Sequence, residues 1–350
     1  MSNDTFDEDM PRWPEAVIPQ SSARDWIRGA LPGMPVISGP DTIARSKEWS
    51  VTASFSARWR DGREQFLFFK AIWGGMFPAA PWVYTLVRRV ARQSAPALAA
   101  WTPRPDGAWM LFKAGDGRPL ASESLPELME LARTLARIQV AVAALPATAV
   151  AGLPVVRVAD LPAMFDTLVA DIRDRQLAFW LDVAPELAEQ FCLPADLLEQ
   201  LARFRPFITR WSEQLAAGGW PLSVDHVDVQ SENAWLSDGG VVLLDWDEAN
   251  LSCPFFSVDL LLDDAFECGG SAAVEAVLSA YRDTLPWGTP ELRAEAIRLA
   301  LCLSPIKHAF EAQQLAARTG WPEGSPHITA WALGRALPRW RAATGDTLLR

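Results

Sequence analysis

Three histidines and four cysteines are all that 350 residues carry. A zinc or other transition-metal centre recruits several imidazoles or thiolates at ligand spacing. His308 and His327 have no ligand-spaced partner and read as structural helix residues. Cys192, Cys253, Cys268 and Cys302 include no C-x-x-C pair, so neither a zinc knuckle nor a disulfide framework is signalled. Each thiol reads as a small apolar core group. No apolar run is long enough to span a bilayer. Met1–Met10 is acidic and polar rather than a signal peptide, so a cytoplasmic protein with no membrane partner is expected. Positive charge is also scarce. The formal net charge of −11 argues against nucleic acid or an anionic membrane as the main partner, although an acidic surface suits a cationic small molecule.

Half of the residues are hydrophobic, which is ample for a buried core in one large domain or two lobes. Seventeen tryptophans have two readings. They pack the core and a lobe interface, or they wall an apolar or cationic substrate.

The densest signal is Ser223–Asp259. His226, Asp228 and Asn233 form H-x-D-x-x-x-x-N. Two apolar segments follow, Ala234–Leu236 and Val241–Leu244, joined by Ser237-Asp238-Gly239-Gly240. Asp-Gly and Gly-Gly tolerate the positive φ of a tight turn, so the pattern predicts a hairpin. Asp245-Trp246-Asp247 closes the second strand. This layout suits phosphoryl transfer, which needs an acceptor hydroxyl held in line and metal ions held against phosphates. Asp228 can take the hydroxyl proton. Asn233 and Asp245 offer oxygen ligands to Mg²⁺, a hard cation that keeps several waters. Solvated acids and turn formers on an ordinary hairpin are the alternative reading.

At these residues the stretch resembles the catalytic segment of the aminoglycoside phosphotransferase and choline kinase-like family of small-molecule kinases. The resemblance implies a bilobal, protein-kinase-like α+β fold, with a small antiparallel-sheet N-lobe and a mostly helical C-lobe. It implies ATP (or GTP) and Mg²⁺ as cofactors, Asp228 as catalytic base, Asn233 and Asp245 as metal ligands, and His226 and Asp259 as polar anchors of the catalytic loop. Val227 stands where the family often has Gly, and where protein kinases carry an Arg that pairs with an activation-loop phosphate. A small-molecule hydroxyl is therefore expected as acceptor, rather than a protein.

Residues 1–20 look like a loose tail, and Ser22–Leu31 like a short helix. Thr42–Ala44 and Ser50–Trp59 are predicted strands. Between them Arg45–Trp49 contains no Gly, so it is no G-x-G-x-x-G loop. Ser46 and Lys47 have two readings, phosphate contact or solvated turn. In Gln65–Ile72, Phe66, Phe68, Lys70 and Ile72 share one face. A lysine among phenylalanines needs a reason, because an unpaired buried ammonium is expensive. By resemblance Lys70 reaches the nucleotide phosphates; an edge lysine whose stem packs while its head snorkels is the alternative. The family's next helix normally carries a Glu partner for this Lys. No Asp or Glu occurs between Ala71 and Pro105, and the predicted helix Trp82–Ser94 carries Arg88, Arg89 and Arg92. Another group orients Lys70, the nucleotide does so, or phosphate binding is rewired.

Trp109–Lys113 is a predicted strand, and in the kinase arrangement that the resemblance implies, the hinge backbone around Phe112 to Gly115, Ala114 included, is the expected adenine contact. The domains follow as a tail and short helix at 1–35, an N-lobe at 36–113, a hinge at 114–119 and a C-lobe at 120–350. Helices are predicted from a capping box at Ser124 and Glu127 onward, at Leu161–Arg173, Asp196–Ala217, Ala272–Tyr281, Pro290–Arg318 and His327–Ala342. Asp225, Asp247, Asp263, Asp264 and Glu267 are candidate contacts for a cationic substrate, or solvated surface acids. The expected function is phosphotransfer to an aminoglycoside-like antibiotic, an amino-alcohol or a related metabolite, with antibiotic resistance one such role. A nucleotide-binding pseudokinase acting through protein interaction is the alternative.

Overall fold

The computed structural model describes residues 11–176, 196–319 and 327–345. Met1–Met10 and Cys192 lie outside the described residues. Packing divides the chain into two compact units. The first runs to Arg118 and also takes Leu236–Asp247; the second is Pro119–Trp235 with Glu248 to the end. The sequence reading placed 236–247 in the C-lobe, whereas its packing groups it with the N-terminal strands.

The first unit is built on a five-stranded antiparallel sheet. Helix α1 (Gln20–Ala30) precedes strands β1 (Val36–Lys47), β2 (Ser50–Arg58) and β3 (Glu64–Ile72). Helix α2 (Ala80–Val90), β4 (Ala97–Arg104) and β5 (Gly107–Lys113) follow, and the strand order is β1-β2-β3-β5-β4. Alternation decides the faces. Val51, Ala53, Phe55 and Ala57 of β2 and Leu67, Phe69 and Ala71 of β3 are all buried, with Ile27 of α1 in the same cluster. Trp13 meets Phe55 and Phe69 at ring-centroid distances of 5.9 Å, and Trp26 meets Phe69 and Trp109 at 5.8 Å. Residues 11–19 are therefore no loose tail: Trp13 and Ile18 belong to this core. Each such ring, once buried, stabilises the unit by about 2–3 kcal/mol.

Strand β1 is longer than Thr42–Ala44. Its Pro40 sits at a register shift on the sheet's edge, where a missing N–H costs least. The turn after it is only Glu48–Trp49, because Lys47 already pairs with Ser50.

The second unit is mostly helical: α3 (Leu125–Ala143), α4 (Ala147–Val150), α5 (Leu161–Asp171), α6 (Leu197–Ala217), α7 (Asp259–Thr284), α8 (Pro290–Thr319) and α9 (His327–Thr344). Helix α7 breaks at Gly269–Gly270, where Gly270 takes φ 63°. The stripe Leu128, Leu131, Leu135, Ile138 and Val142 on α3 is buried as expected. The capping box is not formed: Ser124 makes no side-chain cap bond, and Glu127 instead accepts the Ala121 amide at 3.0 Å. Strand β6 (Arg118–Pro119) joins a three-stranded sheet with β8 (Ala234–Ser237) and β9 (Gly240–Leu243). The latter two are the predicted hairpin, turning at Asp238–Gly239. Short strands β7 (Ser223–Asp225) and β10 (Asn250–Ser252) pair antiparallel on either side of it in sequence. Among the described residues no helix is long and apolar enough to cross a membrane.

Candidate active site

The Asp-Trp-Asp end of β9 folds onto Lys70. Trp246 is completely buried and donates its indole N–H to the Leu243 carbonyl at 2.7 Å. Asp245, on the residue before it, takes a left-handed φ of 55°. A non-glycine residue adopts that conformation at a cost, and such outliers cluster at functional sites. Asp245 and Asp247 thereby meet one ammonium: Lys70 Nζ lies 2.5 Å from Asp245 Oδ1 and 2.5 Å from Asp247 Oδ2. Arg45 of β1 adds a second cation, 3.2 Å from Asp245 Oδ2.

Lys70 and Asp247 are each only 8% exposed, so these charges act with little solvent screening. Burial opposes the Lys70 charge, but Asp247, Tyr84 and Asp245 outweigh it and hold the ammonium pKa well above its usual value. Burial, with Asp245 adding repulsion, pushes Asp247 up to about 6 against the pull of Lys70. Tyr84 of α2 donates its hydroxyl to Asp247 Oδ1 at 3.2 Å and accepts the Trp246 amide at 3.2 Å. Its own pKa is raised well above the usual phenol range, first by burial and then by Asp247.

The H-x-D-x-x-x-x-N loop belongs to the second unit. From Ser223 to Val229 every residue is buried except Asp228, which is half-buried. Asn233 donates its amide to the Asp228 carbonyl at 3.0 Å and to Asp228 Oδ2 at 2.8 Å, which leaves the amide oxygen for another partner. Val227 takes φ 73°. That is an unfavourable backbone for a β-branched residue, and it accounts for glycine being the residue suited to this position.

A buried network holds the loop in that shape. Asp225 is fully buried and accepts the Val227 amide at 3.1 Å and the Ser257 hydroxyl at 2.6 Å. Lys307 of α8, also fully buried, stands 2.7 Å from Asp225 Oδ2 and 2.6 Å from Glu311. Burial works against the Asp225 charge, but Lys307 overrides it and lowers the carboxyl pKa, while Asp225 and Glu311 raise that of Lys307. His226 is buried, its backbone N–H on Ser257 Oγ at 3.2 Å. Asp259 accepts from Ser304 at 2.5 Å and Arg339 at 2.8 Å. Gln139 of α3 donates to the carbonyls of Val224 and Pro254 and accepts the Tyr281 hydroxyl.

Several expectations change. Asp225 and Asp247, expected as substrate contacts, are each buried against a lysine. Asp264 accepts the Ser231 amide at 2.6 Å and steadies the loop. Asp263 lies at the surface 3.4 Å from Arg335, and Glu267 is exposed. Ser46 and Lys47 lie in β1 rather than in a phosphate-covering turn, and Lys47 Nζ sits 5.1 Å from the Trp49 ring. In the expected adenine-binding segment, the Ala114 N–H is taken by the Phe66 carbonyl at 3.1 Å, and the Phe112 ring is buried 4.8 Å from Tyr84. Arg45, Tyr84, Gln139 and Lys307 escaped the sequence reading; a buried cation or amide has no local signature until its partner is known.

Comparison with known proteins follows the same geometry. The family model described as the phosphotransferase enzyme family matches residues 78–294. No curated protein matches the chain. Solved structures do. A choline kinase from Cryptosporidium parvum is 12% identical with TM-score 0.61, covering 94% of this chain and 98% of its own. A choline/ethanolamine kinase family protein from Mesorhizobium loti is 16% identical with TM-score 0.58, covering 93% and 98%. A spectinomycin phosphotransferase solved with ADP and spectinomycin is 10% identical with TM-score 0.52, also covering 93% and 98%. At these identities the likeness is one of fold: an antiparallel N-terminal sheet followed by a mostly helical part, as in kinase-like proteins. With the family model covering more than half of its residues, the chain belongs to the phosphotransferase enzyme family.

Proposed function

We propose that the chain is an ATP-dependent (or GTP-dependent) O-phosphotransferase that phosphorylates a hydroxyl of a small molecule. The observation that supports this reading is the part-buried pairing of Lys70 with Asp245 at 2.5 Å, the cation and carboxylate that it assigns to the phosphates and to the metal. Lys70 neutralises charge on the nucleotide phosphates, and Arg45 is a second cation within reach of the same Asp245. In the second unit, Asp228 accepts the proton of the acceptor hydroxyl as that oxygen bonds to the γ-phosphorus. The bond from the γ-phosphorus to the β-phosphate oxygen breaks, and the diphosphate leaves with the electron pair. The Asn233 amide bond to Asp228 Oδ2 holds the carboxylate in one orientation for that task.

The donor chemistry present suits Mg²⁺: the Asp245 carboxylate in the first unit and the Asn233 amide oxygen in the second are each hard oxygen donors. Among the described residues no three His, Cys, Asp or Glu side chains gather as a metal cage, and Mg²⁺ requires only one or two protein ligands when nucleotide and water oxygens complete its shell. When bound, the ion would supply charge neutralisation for the phosphates.

The related folds act on choline, ethanolamine and spectinomycin by their names. Amino-alcohols and aminocyclitols are therefore the first acceptors to try, with surface acids Asp263 and Glu267 as candidate contacts for a cationic group. Diphosphate release is measured against such a panel. Asp228→Asn is expected to lose about 10²–10⁴-fold in turnover with nucleotide affinity unchanged. Turnover near the wild-type rate in that variant refutes the reading.

A further inference from the structure

Lys70 is a buried cation on β3, and the helix after its strand offers it no acid. Between Ala71 and Pro105 the sequence has neither Asp nor Glu. What α2 presents instead is Tyr84, and Tyr84 touches Asp247. The carboxylate that faces Lys70 from a fully packed position thus comes from the far side of the sequence, 177 residues later, at 2.5 Å. Its second oxygen is held by the Tyr84 hydroxyl at 3.2 Å, and that same hydroxyl accepts the amide of Trp246 at 3.2 Å. Tyr84 is itself fixed, buried at 2% exposure with its ring against Phe112.

The two acids on Lys70 differ in what else binds them. The Asp245 side chain is 24% exposed and shared with Arg45; the Asp247 side chain is 8% exposed and enclosed by Lys70 and Tyr84. An exposed acid is open to a ligand, and an enclosed one is not.

We infer that Asp247, braced by Tyr84, is the positioning residue that holds the Lys70 ammonium in place, taking over the part of the absent helix carboxylate. This rests on the phosphotransferase reading given above. Asp245, which also meets Arg45, then serves the ligand side, and a cation it engages leaves Lys70 its anchor on Asp247. The Asp-Trp-Asp motif thereby divides its labour, one acid for the ligand side and one for the lysine, with the buried tryptophan between them as pivot.

The test is nucleotide affinity, read by titrating a non-hydrolysable ATP analogue in the presence of Mg²⁺, with folding followed by thermal melting. Removing a charge-assisted partner weakens binding by about tenfold or more. Asp247→Asn is expected to show at least that loss in affinity and a matching rise in KM for ATP. Asp247→Glu, which restores a carboxylate, is expected to recover to within about threefold of wild type. A merely structural role moves melting temperature and leaves this recovery absent. Should Asp247→Asn fail to fold, Tyr84→Phe, which keeps the ring and removes the brace, is expected to weaken binding by about threefold to fivefold; unchanged affinity there overturns the inference. A folded Asp247→Asn protein that binds the analogue within twofold of wild type also overturns it, and leaves the phosphotransferase reading standing. Wild-type protein that binds no nucleotide overturns both.

Discussion

Substituting Lys307→Met tests what holds the candidate catalytic loop. Lys307 and Asp225 are both wholly buried, 2.7 Å apart, and the Asp225 carboxylate also accepts the amide of left-handed Val227 one residue before Asp228. Met fills nearly the same volume, so little packing is lost. What is lost is the lysine beside a carboxylate that keeps the Ser257 hydroxyl and the Val227 amide. Breaking a buried pair on one side costs about 3–5 kcal/mol. At about 2–4 °C per kcal/mol for a unit of this size, the melting temperature falls by roughly 6–20 °C. Circular dichroism melts at neutral pH measure it. Two controls sharpen the result. The double variant Lys307→Met/Asp225→Asn removes the stranded charge and recovers much of the loss. In the single variant the deficit shrinks as pH falls from about 7 to 5, because without Lys307 burial, only partly offset by the Ser257 hydroxyl and the Val227 amide, raises the Asp225 pKa, and a raised carboxyl favours the folded state on acidification. A single variant melting within 2 °C of wild type, a change of about 1 kcal/mol or less, refutes the reasoning.

Two further outcomes are expected. The wild-type Asp225 pKa is depressed, so its contribution is present above the unfolded carboxyl value and is lost as pH falls through the lower folded value; Lys307, raised, contributes below the unfolded lysine value and loses its contribution only as pH climbs through the higher folded one. Melting temperature therefore declines below about pH 4, a decline that the Asp225→Asn variant shows less of; parallel curves for the two proteins contradict the pair. Asp245→Asn is expected to abolish the Mg²⁺ dependence of nucleotide binding while the protein still melts cooperatively, and a calorimetric titration in which Mg²⁺ strengthens binding equally in variant and wild type rules Asp245 out as a ligand.

The hairpin and its flanks were legible because their signals are local. Asp238–Gly239 carries turn chemistry, and the motif spacing is short enough to read from sequence. Lys70 was legible because a lysine alternating with phenylalanines is anomalous. The misreadings have a common physical source. Asp225 looked like a surface acid because its partner Lys307 is 82 positions away. Tyr84 looked like one more helix residue because Asp247 is 163 positions away. Strand β4 was missed since Ala97, Ala99 and Ala100 carry little β signal, and β7 and β10 since three residues set no period. Strand β1 was started too late, at Thr42, because Pro40 argues against a strand unless the strand is known to lie at an edge.

Arg45, Lys70, Asp245 and Asp247 make a cluster of two positive and two negative charges. Its resting sum is zero. Each acid of the cluster has a cation within 3.2 Å, so neither carboxylate carries its charge alone. On the phosphotransferase reading proposed above, a ligand that draws Lys70 or Arg45 away from Asp245 has to give that carboxylate another cation in exchange, which favours a nucleotide arriving with its metal ion over bare phosphate.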